Sequence, residues 1–118
     1  MSLFMGTYPN SGSTMWEYAQ AIDTTGTGPT VDIFIPPACK AISVTVNALS
    51  TASVTLQVCN CPQKNIDAGT GIWVNSGAAI TAGAAVVTAF PAPPHSVRVL
   101  IGTALAGVQA AISIVGRE

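Results

Sequence analysis

The strongest constraint on what this chain can fold into is a hydrophobic alternation with period two. Between residues 41 and 49, Ile42, Val44 and Val46 fall on one face and Ser43, Thr45 and Asn47 on the other. That is the pattern of a strand with one side in a core and the other outside it. Ser53–Cys59 repeats it, with Val54, Leu56 and Val58 set against Thr55, Gln57 and Cys59. Because the turn-forming Ser50-Thr51-Ala52 separates the two runs, they are expected to pair as a hairpin with the Cys59 side chain pointing away from the core. Shorter strands are expected over residues 31–35, 71–75, 85–90, 96–101 and 108–115. Over residues 15–22, Trp16, Tyr18, Gln20 and Ile22 alternate as a strand, although Ala and Glu there would also tolerate a helix. No long stretch repeats at the helical period.

Eight short strands separated by turn residues at regular spacing predict an all-β chain, an antiparallel β-sandwich of jelly-roll type. The 11 Gly and 8 Pro suit such a turn-rich chain. Pro36-Pro37 and the run Pro91-Ala92-Pro93-Pro94 cannot continue a ladder and mark connections. Residues 14–118 are expected to form one domain and residues 1–13 a flexible N-terminal arm, with a further flexible loop at 24–29. An arm carrying Leu3, Phe4 and Met5 at its tip loses entropy on ordering unless a neighbouring molecule receives it.

Charge is scarce. The 118 residues include five acids and four bases, or 8% charged, where an ordinary domain has about 25%. Apolar residues make up 49% but aromatics only 6%, so the chain is rich in Ala, Val and Ile and is not a candidate for disorder. A net charge of −1 leaves no basic surface for a phosphate backbone, which excludes nucleic acid as a partner. No apolar run approaches the 18 or more residues of a spanning helix, and no membrane partner is expected. The first residues carry no basic segment followed by an apolar one, so synthesis in a cytoplasm without a secretory signal is expected. A surface this poor in charge is expected to be partly covered by other protein.

Few residues suggest chemistry. Cys59 and Cys61, two apart, would bring their Cα atoms near the upper limit for a bridge if extended, so reduced thiols are expected, with one bridge as the alternative. Cys39, Cys59, Cys61 and His95 together could supply four zinc ligands, but one C-x-C and a lone His lack the usual paired spacing, and neither metal nor cofactor is expected. His95, in a Pro-rich loop, has no motif around it that would make a catalytic set, and no enzymatic activity is expected. Trp16 and Trp73 could stack a sugar ring if exposed on a sandwich face, or fill a core or interface. Arg98, a lone charge on an apolar strand, is expected to pair with Glu17 or Asp32, or with a carboxylate on a partner.

The order of segments resembles small β-sandwich structural proteins of tailed bacteriophages. Val54-Thr55-Leu56-Gln57 corresponds to a V-x-L-Q strand, and Trp73-Val74-Asn75-Ser76-Gly77 to a W-V-x-x-G strand. Ala79-Ile80-Thr81-Ala82-Gly83 corresponds to a Gly-containing turn, and Val97-Arg98-Val99 to a V-R-V strand. The likeness covers roughly residues 40–115; the segment Cys59-Asn60-Cys61 and the proline run depart from it. It implies a virion protein assembled in the host cytoplasm, a capsid decoration or cement subunit or a minor head, tail, neck or fibre component. The partners implied are the major capsid protein and further copies of the chain, often as trimers, with the arm as a clamp. Leu3, Phe4, Met5, Trp16, Tyr18, Trp73 and Arg98 are then the candidate interface residues. The resemblance brings no catalytic residues with it.

Overall fold

A computed structural model describes the backbone of residues 2–7, 14–30, 32–81 and 83–117, and side chains from residue 16 onward within those ranges. The strands are β1 (Ser2–Thr7), β2 (Thr14–Asp23), β3 (Gly28–Pro29), β4 (Ile33–Phe34), β5 (Ala41–Ala48) and β6 (Ser53–Cys59). After the short helix α1 (Gln63–Asp67) come β7 (Trp73–Asn75), β8 (Ile80–Thr81), β9 (Ala85–Phe90), β10 (Ser96–Thr103) and β11 (Val108–Arg117). They form two antiparallel sheets, one in the order β1-β2-β11-β5-β9, the other β3-β10-β6-β7 with β4 also on β10 and β8 also on β6. Taking β3 with β4 as one position and β7 with β8 as another, and setting edge strand β1 aside, leaves eight. Their order is then 1-8-3-6 in one sheet and 2-7-4-5 in the other, which is the jelly-roll arrangement and bears out the expected β-sandwich.

The expected hairpin does not form. β5 pairs with β11 and β9, whereas β6 pairs with β10, β7 and β8, so the two strands lie in opposite sheets. Both have a fully apolar face, and two such faces bury more area packed against each other than side by side in one sheet. The connection reverses through Ser50 at φ 54° and an Ala52 N–H to Leu49 O bond of 3.2 Å. The core is the space between these faces. Val44, Val46, Ile112 and Ile114 from one sheet and Val54, Leu56, Val97 and Val99 from the other are all buried. Each such side chain contributes about 1.5–3 kcal/mol relative to leaving it in water.

Strand β2 carries Trp16, Tyr18 and Ile22 into this core, which settles the strand-or-helix ambiguity of that segment in favour of a strand. Trp16 and Tyr18, expected at an interface, are only 2% and 5% exposed. Their alternation with Glu17 and Ala19 puts both rings on the inner face of β2, the only dry place for them, and neither presents a surface to a partner. Residues Ser2–Thr7 also differ from expectation, because their backbone runs antiparallel to β2 from Ser2 opposite Ala19 to Thr7 opposite Thr14. A strand edge offers that backbone a ladder of hydrogen bonds that a free arm would have to leave to water. The remainder of the expected arm, Met1 and residues 8–13, lies outside the described residues, as does Val31 of the expected strand 31–35.

Residues 24–29, expected to be a flexible loop, are anchored. Thr24 is fully buried, and its hydroxyl donates to Leu105 O at 2.6 Å and Gly107 O at 3.1 Å. Its own backbone bonds Gly107 O through N–H and Leu105 N–H through C=O. Farther on, Thr30 N–H donates to Val99 O at 2.8 Å while Val99 N–H donates to Thr30 Oγ1 at 3.0 Å. A side chain thus replaces one rung of the ladder where β3 gives way to β4.

Candidate interaction surfaces

The outer face of the six-stranded sheet gathers several polar and aromatic residues. Arg98 on β10 stands opposite Gln57 on β6, and Gln57 opposite Asn75 on β7; one step along, Cys59 stands opposite Trp73. Arg98 Nε donates to Gln57 Oε1 at 2.9 Å, and Gln57 Nε2 donates to Asn75 Oδ1 at 3.0 Å. The guanidinium carbon lies 4.1 Å from the Trp73 ring centroid, a cation–π contact that shields one face of the half-buried indole. Arg98 was expected to meet Glu17 or Asp32. Glu17 is instead on the outer face of the opposite sheet, and the partners Arg98 does make are the neutral Gln57 and Trp73.

Gln57 lies on the face that alternation predicts for it, but nothing in the sequence singles out Gln57 or Asn75. The register that aligns them with Arg98 arises from the pairing of three separate segments, and no local signal carries it. Cys59 also points outward as expected, yet it is buried. The segment containing α1 folds over it, with Gly71 and Ile66 so close that a Cβ on Gly71 would lie 3.4 Å from Cys59 Sγ and 3.2 Å from Ile66 Cγ1. Burial pushes the Cys59 thiol above its ordinary range. Cys61 beside it accepts a bond from Ile72 N–H at 3.2 Å. At the end of this face Phe34, 49% exposed, meets His95 edge to face at 4.9 Å. His95 Nδ1 is 2.8 Å from Ser96 Oγ, and the His95 backbone N–H donates to Asn60 Oδ1 at 3.0 Å, so the imidazole is held in a local polar contact.

The outer face of the five-stranded sheet is of a different kind. Reading across β2, β11, β5 and β9, one row is Ala21, Ala111, Asn47 and Ala85. The next is Ala19, Ser113, Thr45 and Val87, and the third is Glu17, Val115, Ser43 and Ala89. Glu17 is the one charge in these rows. The side chains are short, so the face is flat, with a shallow depression at Ser43, Thr45, Ser113 and Val115 that the exposed Arg117, in the next row, also lines. Of the seven expected interface residues, Trp73 and Arg98 are brought together, Trp16 and Tyr18 are in the core, and the side chains of Leu3, Phe4 and Met5 lie outside the described residues.

No family model and no curated protein matches the chain. Among solved structures it is similar to the endo-1,4-β-D-xylanase CBM22-1 and GH10 modules from Clostridium thermocellum complexed with xylohexaose, at 10% identity and a TM-score of 0.41, over 98% of this chain and 24% of that one. An oxalate oxidase gives 14% identity and 0.35 over 90% of this chain and 41% of that one. Drosophila melanogaster CENP-C bound to CAL1 gives 6% and 0.36 over 98% and 76%. The chain thus spans less than half the length of the first two, and likenesses this distant carry no argument about what it binds or does. No helix is long and apolar enough to cross a membrane among the described residues.

Proposed function

We propose that the chain is a non-enzymatic structural subunit of a virion, a capsid decoration or cement protein that binds the major capsid protein and further copies of itself. The observation that carries this reading is the flat outer face of the five-stranded sheet, where Glu17 is the only charge in three rows of four residues. Interface cores are depleted in charge because an ion must shed its hydration on docking. Ala loses no side-chain entropy when covered, whereas Lys or Glu loses about 1.5–2 kcal/mol. The viral setting rests on the likeness of residues 40–115 to small phage β-sandwich proteins. A tail, neck or fibre component has the same surface requirements, and its place in the particle separates the two.

Cosedimentation with expanded capsid shells lacking this protein tests the reading. Wild type should pellet with shells, Thr45→Lys at the centre of the face should not, and Ala104→Lys in an exposed loop should behave as wild type. Failure of the wild type to bind shells or any other particle component would sink it.

A second reading, a carbohydrate-binding surface, is favoured by the Trp73, Arg98, Gln57 and Asn75 array, since an indole edge flanked by amide and guanidinium donors suits a sugar ring and its hydroxyls. Titration with host polysaccharide should then shift Trp73 emission, and Trp73→Ala should abolish binding. An unchanged spectrum removes this reading.

A further inference from the structure

We infer that strand β9 is a self-pairing edge, through which two copies of the chain join their five-stranded sheets about a two-fold axis at Val87. β9 ends its sheet and, among the described residues, pairs on one side only, with β5. Ala48 N–H donates to Ala84 O at 3.0 Å, which fixes the phase of that ladder. In an antiparallel pair the direction of the backbone groups alternates residue by residue. Val86, Thr88 and Phe90 therefore turn their N–H and C=O groups toward β5, and Ala85, Val87 and Ala89 turn theirs to the open edge.

Those three residues are arranged symmetrically. Antiparallel pairing on a dyad through Val87 sets Val87 against its own copy and Ala85 against Ala89, each as a hydrogen-bonded pair. It also sets Val86 against Thr88 on the inner face. Three N–H groups from each copy, those of Ala85, Val87 and Ala89, then find acceptors across the axis. Such a dyad sets the strand against its own copy, with Val87 on its own duplicate, so a charge near the axis would meet the same charge across it. β9, with the sequence AVVTAF, has no charge.

The usual protections of a strand edge are also missing from β9. It is six residues long, with no Lys, Pro or bulge inside it, whereas the edges of the other sheet are blunted, β3 by its Pro29 and β7 and β8 by lengths of three and two residues. Val87 is 65% exposed, and Val86 remains 44% exposed although it faces inward, because nothing beyond β9 covers it. A second copy covers both. The row Ala19, Ser113, Thr45 and Val87 then runs on into its duplicate, doubling the sparsely charged face. The inference deepens the proposed assembly role and rests on it only for the use of that doubled face, since the edge geometry stands by itself.

Sedimentation velocity and amide hydrogen exchange on the full chain test it together. The wild type should sediment as a dimer at micromolar concentration, with the amides of Ala85, Val87 and Ala89 protected. Val87→Lys should sediment as a monomer and lose protection at those three amides, while Val86 and Thr88 stay protected through β5 and report an intact fold. Val74→Lys, an exposed position on the other sheet, should leave the dimer unchanged. A wild-type monomer, a trimer, a Val87→Lys variant as dimeric as wild type, or fast exchange at the three wild-type amides would each overturn the inference. Shell binding keeps the two ideas apart: a Val87→Lys monomer that still pellets with shells spares the capsid reading, and a wild-type dimer that binds no particle spares the edge.

Discussion

A Cβ placed on Gly116 would stand 2.7 Å from the Cys39 sulfur, closer than real Cβ contacts come. Gly116 lies in register between Trp16 on β2 and Ile42 on β5, and the same Cβ would meet the Ile42 Cγ2 at 3.2 Å and the Trp16 ring at 3.4 Å. The missing side chain is what lets the indole and the thiol close the end of the core. Gly116→Ala should therefore destabilise the fold by about 1–3 kcal/mol, the usual range for overpacking. Urea denaturation measures this, and Cys39→Ala in the same chain should recover part of the loss by giving the methyl room.

Thr24 provides a second test, because its hydroxyl is buried and divided between two carbonyls of the β10–β11 connection. Thr24→Val keeps the shape and leaves those oxygens without that donor. A loss of about 1–3 kcal/mol is expected, together with faster amide exchange at Leu105, whose N–H bonds the Thr24 carbonyl. Unchanged exchange would mean that the connection holds without the clamp.

Arg98 covers the indole of Trp73 and ties it to Gln57. Removing the guanidinium in Arg98→Ala should shift Trp73 emission to the red as water reaches the ring. Trp16, the other indole, is sealed in the core and supplies an unmoved reference. The stability change should be small, about 0.5–1 kcal/mol, as for other cation–π contacts near the surface.

Stability should fall at both ends of the pH range, for opposite reasons. Burial raises the Cys59 thiol and the Tyr18 phenol above their ordinary values, so the native state resists ionisation that the unfolded chain allows. Their contributions are intact below the unfolded values, about 8.5 and 10, and are lost as pH rises through the folded ones. Asp23 is the reverse case, since bonds from the Thr25 hydroxyl and then the Thr25 N–H hold its carboxyl below the usual aspartate range. Its contribution is present above the unfolded value and disappears as pH falls through the folded one. Urea midpoints across about pH 2 to 11 check both limbs; Cys59→Ala should flatten the start of the alkaline fall, and Thr25→Ala should raise the Asp23 titration seen by NMR.

Much of this fold is legible in the sequence because period-two alternation is local. Ser53–Cys59 is a strand at the expected residues, and Val44, Val46, Val54 and Leu56 are core on the strength of alternation alone. Partnership between strands is not local, and for that reason β5 and β6, adjacent in the chain and alike in pattern, end in different sheets. The same limit hides the site. Gln57 and Asn75 join Arg98 only through three-strand register, and Trp16 and Trp73 look alike in the sequence although one is sealed by the sandwich and the other lies under a guanidinium. The helix over Gln63–Asp67 follows Pro62 and has no apolar face, so periodicity gives no sign of it.

The outer face of the five-stranded sheet, with little charge, is the surface proposed to meet other protein. Cosedimentation with expanded, protein-deficient capsid shells tests it most directly, comparing wild type with Thr45→Lys. The expected result is saturable pelleting of the wild type and its loss in the variant. Equal pelleting of the two, or none by the wild type, would contradict the account.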